Sequence, residues 1–229
     1  MNKPIGIIGA MDIEVDGIVS SMTDVSKEIV SGITYYSGKL GEKNVVIAKC
    51  GIGKVFAAIC AQTMIIKFAP SLIINTGVAG SLSKGLNVLD VAVASGVVQH
   101  DMDTSAIGDP RGLISGINVI YFNADDKIVS VMQEATRLVG CSSKVGIIAS
   151  GDKFMADLEE KQSIAKEFNA VACEMEGGAI GHTCYVNNVP FGIIRAISDG
   201  EGAEMDYATF AGLAAQNSIK ITKKFVEIY

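Results

Sequence analysis

The chain has 229 residues, 49% hydrophobic and 19% charged, enough to bury a large core without disulfides or metals. Its apolar runs stay short of the ~18 uninterrupted residues of a membrane span. A formal charge of -6, with arginine confined to Arg111, Arg137 and Arg195, argues against a protein that grips nucleic-acid backbone.

The first predicted strand is Ile5–Gly9, which leads through Ala10-Met11 into Asp12-Ile13-Glu14. Residues 33–39 and 45–50, joined at Gly41, read as a hairpin, which makes the sheet mixed. Gly51-Ile52-Gly53-Lys54 resembles a P-loop, but Ala48 and Val55 stand where the Walker pattern needs Gly and Ser or Thr. A tight strand-to-helix turn is predicted there, followed by a helix over 55–68. A strand over 72–76 ends in the glycine-rich Asn75-Thr76-Gly77-Val78-Ala79-Gly80, and another covers 91–98. Helices at 126–139, 158–168 and 179–186 alternate with strands at 145–149, 171–173 and 191–197. A final helix carries Tyr207, Phe210, Ala214, Ile221, Phe225 and Ile228 at helical spacing. Strands apolar on both faces, alternating with helices, predict an α/β sandwich. Residues 1–229 read as a single domain, since no linker or repeat divides them.

Several motifs lead nowhere. Gly6-Ile7-Ile8-Gly9-Ala10-Met11 lacks the glycine spacing of a dinucleotide site, so no NAD is expected. His100-Asp101-Met102-Asp103 has neighbouring side chains on opposite strand faces, and the other histidine, His182, lies in a helix; no metal site is expected. No G-x-S-x-G elbow is present. Cys50, Cys60, Cys141, Cys173 and Cys184 show no CxxC spacing and are odd in number, so free thiols in a reducing compartment are expected. The N-terminus has no signal-peptide layout, and the expected location is cytoplasmic.

Chemistry-bearing residues collect where strands end, which is where α/β folds bind ligands. Glu14, Glu176 and Asp199 each follow a predicted strand. An acidic residue in the first turn of a helix is stabilised by the helix dipole, and that alone accounts for Glu176 and in part for Glu14. It accounts less well for Asp199, in Ser-Asp-Gly after an apolar strand. As a set, the three suggest acid/base work on a small ligand.

Four blocks in order add to this: Gly6-Ile7-Ile8-Gly9-Ala10-Met11 with Glu14, Ser150-Gly151-Asp152, Glu174-Met175-Glu176, and Arg195-Ala196-Ile197-Ser198-Asp199. Together they resemble the 5'-methylthioadenosine/S-adenosylhomocysteine nucleosidase family, within the nucleoside phosphorylase superfamily, from the first strand to the last helix. The resemblance implies a three-layer αβα sandwich around a mixed sheet, a homodimer, and a cofactor-free reaction in methionine salvage. In that reaction water splits an adenine thio-nucleoside into adenine and a thioribose. It implies Glu14 as the base that activates water and Asp199 as the acid toward adenine N7. Glu176 would hold the ribose hydroxyls, and Met175 would pack on the sugar. Ser198 and Arg195 would orient Asp199, while Phe154 and Met155 would meet the adenine. Val78-Ala79-Gly80 would form a strand-end loop lining the purine and ribose, with Met11, Ile52 and Tyr207 completing the pocket. Ala106-Ile107-Gly108 would reach toward the partner's 5' pocket. A short connection separates Asp199 from Tyr207, and Val78 stands where the family commonly has Ser. Burial of Asp199 beside other carboxylates is expected to keep its proton in place. The alternative on this fold is phosphorolysis, which needs cationic groups around phosphate. A binding module without chemistry would need neither acid nor base.

Overall fold

A computed structural model describes residues 3–200 and 207–229; the short connection read between Asp199 and Tyr207 falls largely outside them. In chain order the elements are β1 (Ile5–Gly9), α1 (Asp12–Val19), β2 (Thr23–Val30), β3 (Ile33–Leu40), β4 (Lys43–Lys49) and α2 (Lys54–Phe68). Then come β5 (Leu72–Ser81), β6 (Val91–Gln99), a 3-10 turn (Ser105–Ile107), β7 (Tyr121–Asn123) and α3 (Asp126–Val139). The chain closes with β8 (Ser143–Ser150), α4 (Leu158–Phe168), β9 (Ala170–Glu174), α5 (Gly177–Val186), β10 (Phe191–Asp199) and α6 (Tyr207–Ile228).

Alternation along each strand explains why helices cover both faces. Ile8, Ala48, Ile73 and Ile193 pack with Ala57, Cys60, Ala61 and Met64 of α2 and Ile180 of α5. Their neighbours Ile7, Ile47, Ile74 and Ile194 point the other way, onto Val15 of α1, Ile128 and Met132 of α3, and Phe225 of α6. The sheet is mixed as expected: β1 pairs in parallel with β4 and β5, while β3 and β4 form the antiparallel hairpin. β5 is the branch point. It pairs in parallel with β10 and, at Gly80 and Ser81, antiparallel with β9. The circuit β5-β10-β6-β8-β9 therefore closes on itself, with a short open wing β1-β4-β3-β2.

Two helices have the predicted bounds because their ends are capped. Asp125 accepts from the Ile128 N–H ahead of α3, and Asp157 from the Glu160 N–H ahead of α4. Other expectations need correction. β5 runs to Ser81, so Val78-Ala79-Gly80 is strand and not loop; ladders to β10 and β9 extend it beyond Thr76. The elements α1, β2 and β7 were not predicted. β2 is an almost wholly exposed edge strand, so Val25 and Ile29 sit in solvent and leave no buried alternation to read. α6 buries Ala214, Ile221 and Phe225 of the predicted stripe but adds polar residues to that face. Ser218 and Thr222 lie at its centre, both hydrogen-bonded to Thr76 Oγ1, whereas Ile228 is exposed. Hydrophobic periodicity cannot register a buried hydroxyl ladder.

Candidate active site

Each acidic side chain reaches the site through local backbone geometry. β1 ends at Gly9, and Glu14 occupies the first turn of α1, where its carboxylate folds back onto the helix start. Oε2 accepts the N–H groups of Ala10 and Met11 at 2.7 and 2.9 Å, and Oε1 accepts that of Val78 at 3.1 Å. Glu14 is 1% exposed. Burial raises its pKa above the ordinary carboxylate value, against the opposing pull of Arg195 and the three N–H donors. Gly77 has to be glycine here, since a Cβ would overlap Glu14 Oε1 and the Arg195 guanidinium.

β9 delivers two further acids. Glu174 caps α5 by accepting the Glu176 and Gly177 N–H groups at 3.0 and 2.8 Å, and it pairs with Arg195. Glu176 accepts from Arg195 Nη2 at 3.3 Å and from the Gly53 N–H at 2.9 Å. That N–H is aimed by the turn Gly51-Ile52-Gly53, whose glycines sit at φ +95° and +99°, values that L side chains rarely adopt. The motif that resembled a P-loop thus presents a donor to a carboxylate. Burial pushes the Glu176 carboxyl up to about 7, with Arg195 pulling it down and Glu174 pushing it further up. Arg195 is 1% exposed and also donates to Asn75 Oδ1 at 2.6 Å. Burial works against its charge, but the carboxylates of Glu174, Glu176 and Glu14 outweigh that and raise its pKa.

The remaining acid, Asp199, ends β10. Ser198 Oγ lies 3.2 Å from its Oδ1, and Lys161 Nζ of α4 lies 2.5 Å from its Oδ2. Two expectations change. The charge against Asp199 is an ammonium, not a carboxylate: Lys161 reaches it from α4. Arg195 is not the group that orients it. Four strand positions, roughly 13 Å, separate the two backbones, and the Arg195 fork is taken up by Glu174, Glu176 and Asn75. Gly80 lies between β10 and β9, where a Cβ would sit 2.9 Å from Asp199 Oδ2 and 3.3 Å from Cys173 Sγ.

All the candidate residues line one cavity of about 380 Å³, a size that suits a small molecule. Val78, Ala79 and Gly80 contribute from β5, and Met175 lies beside Glu176. Met11, Ile52, Met155 and the Phe154–Tyr207 pair form apolar walls, the two rings edge-on with centroids 5.4 Å apart. The Tyr207 phenol is pushed up by burial and then by the charges of Glu14, Asp199 and Glu176. The arrangement joins an apolar slot for a flat ring to a polar end with several carboxylates around one buried arginine. Such a site favours developing positive charge and disfavours an anion.

Sequence reasoning passed over Ala10, Lys153, Cys173 and Glu174, which also line the cavity, and Lys161, which lies behind it. One of them had a legible signal: Lys161 falls in the buried stripe of α4 with Ile164 and Phe168. His100 and His182 are used elsewhere: His182 stacks on Phe122 with centroids 4.8 Å apart, and His100 is buried against Gly151.

Comparison with known proteins follows the same lines. The family model of the phosphorylase superfamily matches residues 4–227. The chain is 42% identical over 226 residues to a 5'-methylthioadenosine/S-adenosylhomocysteine nucleosidase of Staphylococcus aureus (strain JH9), covering 97% of this chain and 98% of that one. It is similar to the crystal structure of the Neisseria meningitidis nucleosidase of that name in complex with methylthio-immucillin-A. That match has 36% identity and a TM-score of 0.94, over 99% of this chain and 100% of that one. It is also similar to the Colwellia psychrerythraea nucleosidase in complex with adenine. There the identity is 32% and the TM-score 0.93, over 99% and 96% of the two chains.

Proposed function

We propose that this chain, which belongs to the 5'-methylthioadenosine/S-adenosylhomocysteine nucleosidase family of the phosphorylase superfamily, hydrolyses the N-glycosidic bond of those two nucleosides, releasing adenine and the thioribose product. Adenine leaves poorly as an anion, so a proton must reach N7 as the bond breaks. Asp199 supplies it from the end of β10. As the C1'–N9 electron pair passes into the purine, the ribose gains oxocarbenium character. Glu176 beside the ribose hydroxyls and the carboxylate of Glu14 stabilise that charge. Water then bonds to C1' and loses its proton to Glu14, an arrangement that corresponds to inverting glycoside hydrolysis. Met175 packs on the sugar, and Phe154 and Met155 receive the adenine.

Ser198 suits the acid's change of state. A hydroxyl has one hydrogen and two lone pairs. Its Oγ lies 3.3 Å from Ala79 O and 3.2 Å from Asp199 Oδ1, so it donates to Ala79 when Asp199 carries a proton and to Asp199 when it does not.

The observation that favours water over phosphate is the buried carboxylate of Glu14 in the cavity, with the cavity's arginine already bound to Glu174 and Glu176. An incoming phosphate would meet negative charge and a guanidinium whose charge is already paired with two carboxylates. Adenine release from methylthioadenosine is therefore expected at the same rate with and without added phosphate. A rate that depends on phosphate would overturn hydrolysis in favour of phosphorolysis.

The proposal extends to one domain over residues 1–229, a homodimer, a cytoplasmic location and a place in methionine salvage. In support of the dimer, Val55, Phe56, Ile59 and Ile66 lie exposed along α2, and Ile107 projects from the 3-10 turn at 81% exposure. Light scattering is expected to return twice the 24.0 kDa chain mass, and a single-chain mass at micromolar concentration would sink the dimer. Among the described residues no helix is long and apolar enough to cross a membrane.

A further inference from the structure

Asp199 is held on both of its oxygens. Oδ1 faces Ser198 Oγ, whereas Oδ2 receives the Lys161 ammonium at 2.5 Å. Lys161 does not line the cavity; it reaches the carboxylate from α4, in a pair whose side chains are 8% and 15% exposed. Drying two charges to this degree is costly, and an apolar residue at this point of the Lys161, Ile164, Phe168 stripe would serve packing at least as well. The lysine therefore needs a reason other than stability.

Donor chemistry supplies one. An ammonium has three hydrogens to give and no lone pair to receive one. A proton on Oδ2 would point at those hydrogens with nothing to bond to. Oδ1 has the opposite neighbour, a hydroxyl that can accept from Oδ1–H while donating to Ala79 O. We propose that Lys161 is a positioning residue for purine protonation: by occupying Oδ2 it makes Oδ1 the oxygen from which Asp199 delivers its proton. The inference rests on the nucleosidase reading given above. During the step the Oδ1–H bond breaks and N7–H forms while the C1'–N9 pair moves into the purine. Lys161 keeps all its hydrogens. The carboxylate left behind is created in contact with a positive charge, so the pair is stronger after transfer than before, which is the condition for lowering a barrier.

The test uses Lys161→Met, Lys161→Gln and Lys161→Arg, each assayed with methylthioadenosine and with the 4-nitrophenyl glycoside of the same thioribose. Nitrophenolate departs as a stable anion and needs no proton from Asp199. On methylthioadenosine, the Met and Gln variants are expected to lose about 10²-fold in kcat with KM little changed, the size of one acid contribution. Lys161→Arg is expected to restore most of that. On the nitrophenyl glycoside all three should match the parent. An equal loss on both substrates would mark Lys161 as merely structural and overturn the proposal, as would full adenine release by the Met and Gln variants. Asp199→Asn run alongside separates the two levels. If it is inactive while the Lys161 variants are fully active, only the lysine inference fails; if it keeps full activity, the acid assignment fails first.

Discussion

Asp199→Asn is expected to lower kcat on methylthioadenosine about 10³-fold, within the usual range for removing a general acid, with adenine affinity little altered. The substitution isolates chemistry from packing. An Asn at this point can accept from Lys161 with its carbonyl oxygen and present its amide to Ser198 Oγ, which still donates to Ala79 O. No buried group is orphaned, so the thermal midpoint should move little. The amide can donate a hydrogen bond toward N7 but cannot surrender a proton, and adenine must then leave with its negative charge intact. The check is kcat and KM together with a melting curve. A folded variant within a few-fold of the parent would remove Asp199 from the mechanism.

Glu14→Gln should cost as much or more, about 10³-fold in kcat, because it removes the group that takes the proton from water. Here the fold is not a neutral bystander. Oε2 takes two backbone N–H groups and Oε1 a third, so one end of a Gln amide must set its own N–H against a backbone donor. Some lost hydrogen bonding accompanies the loss of the base, and binding of adenine should be measured to separate the two. The parent's pH profile gives an independent handle. Burial raises the pKa of Glu14 and sets Glu176 at about 7, and both act as anions in the proposed step. A raised carboxyl loses its charge early as the solution is acidified, so kcat/KM should fall as pH drops through about 7, well above the ordinary carboxylate range. The limb belongs to the acidic cluster as a whole. A profile flat from pH 8 to pH 5 would contradict it.

Much of the site was legible because its chemistry is local. Glu14 stands a few residues past an apolar strand, Ser198-Asp199 closes another, and Gly51-Ile52-Gly53 marks a turn by composition alone. The α3 and α4 boundaries were readable from their caps. Legibility failed where a residue's role depends on a partner far along the chain. Nothing next to Glu174 in the chain signals its role, which is to bind Arg195 across the sheet. The end of β5 was placed at Thr76 because Gly77 and Gly80 read as loop residues, whereas in the sheet their missing Cβ atoms make room for Glu14, Arg195 and Asp199.

The sequence by itself determined most of the strands and helices, which strand faces are apolar, and which acids stand at strand ends. Periodicity and capping are short-range effects, carried by side chains a few positions apart. Tertiary structure alone decided that β5 branches between β10 and β9, that Thr76 meets Ser218 across 142 residues, and that Lys161 lies against Asp199 across 38. Those pairings follow from closing the sheet and packing helices on it, and a buried hydroxyl or ammonium leaves no periodic trace in the chain that carries it.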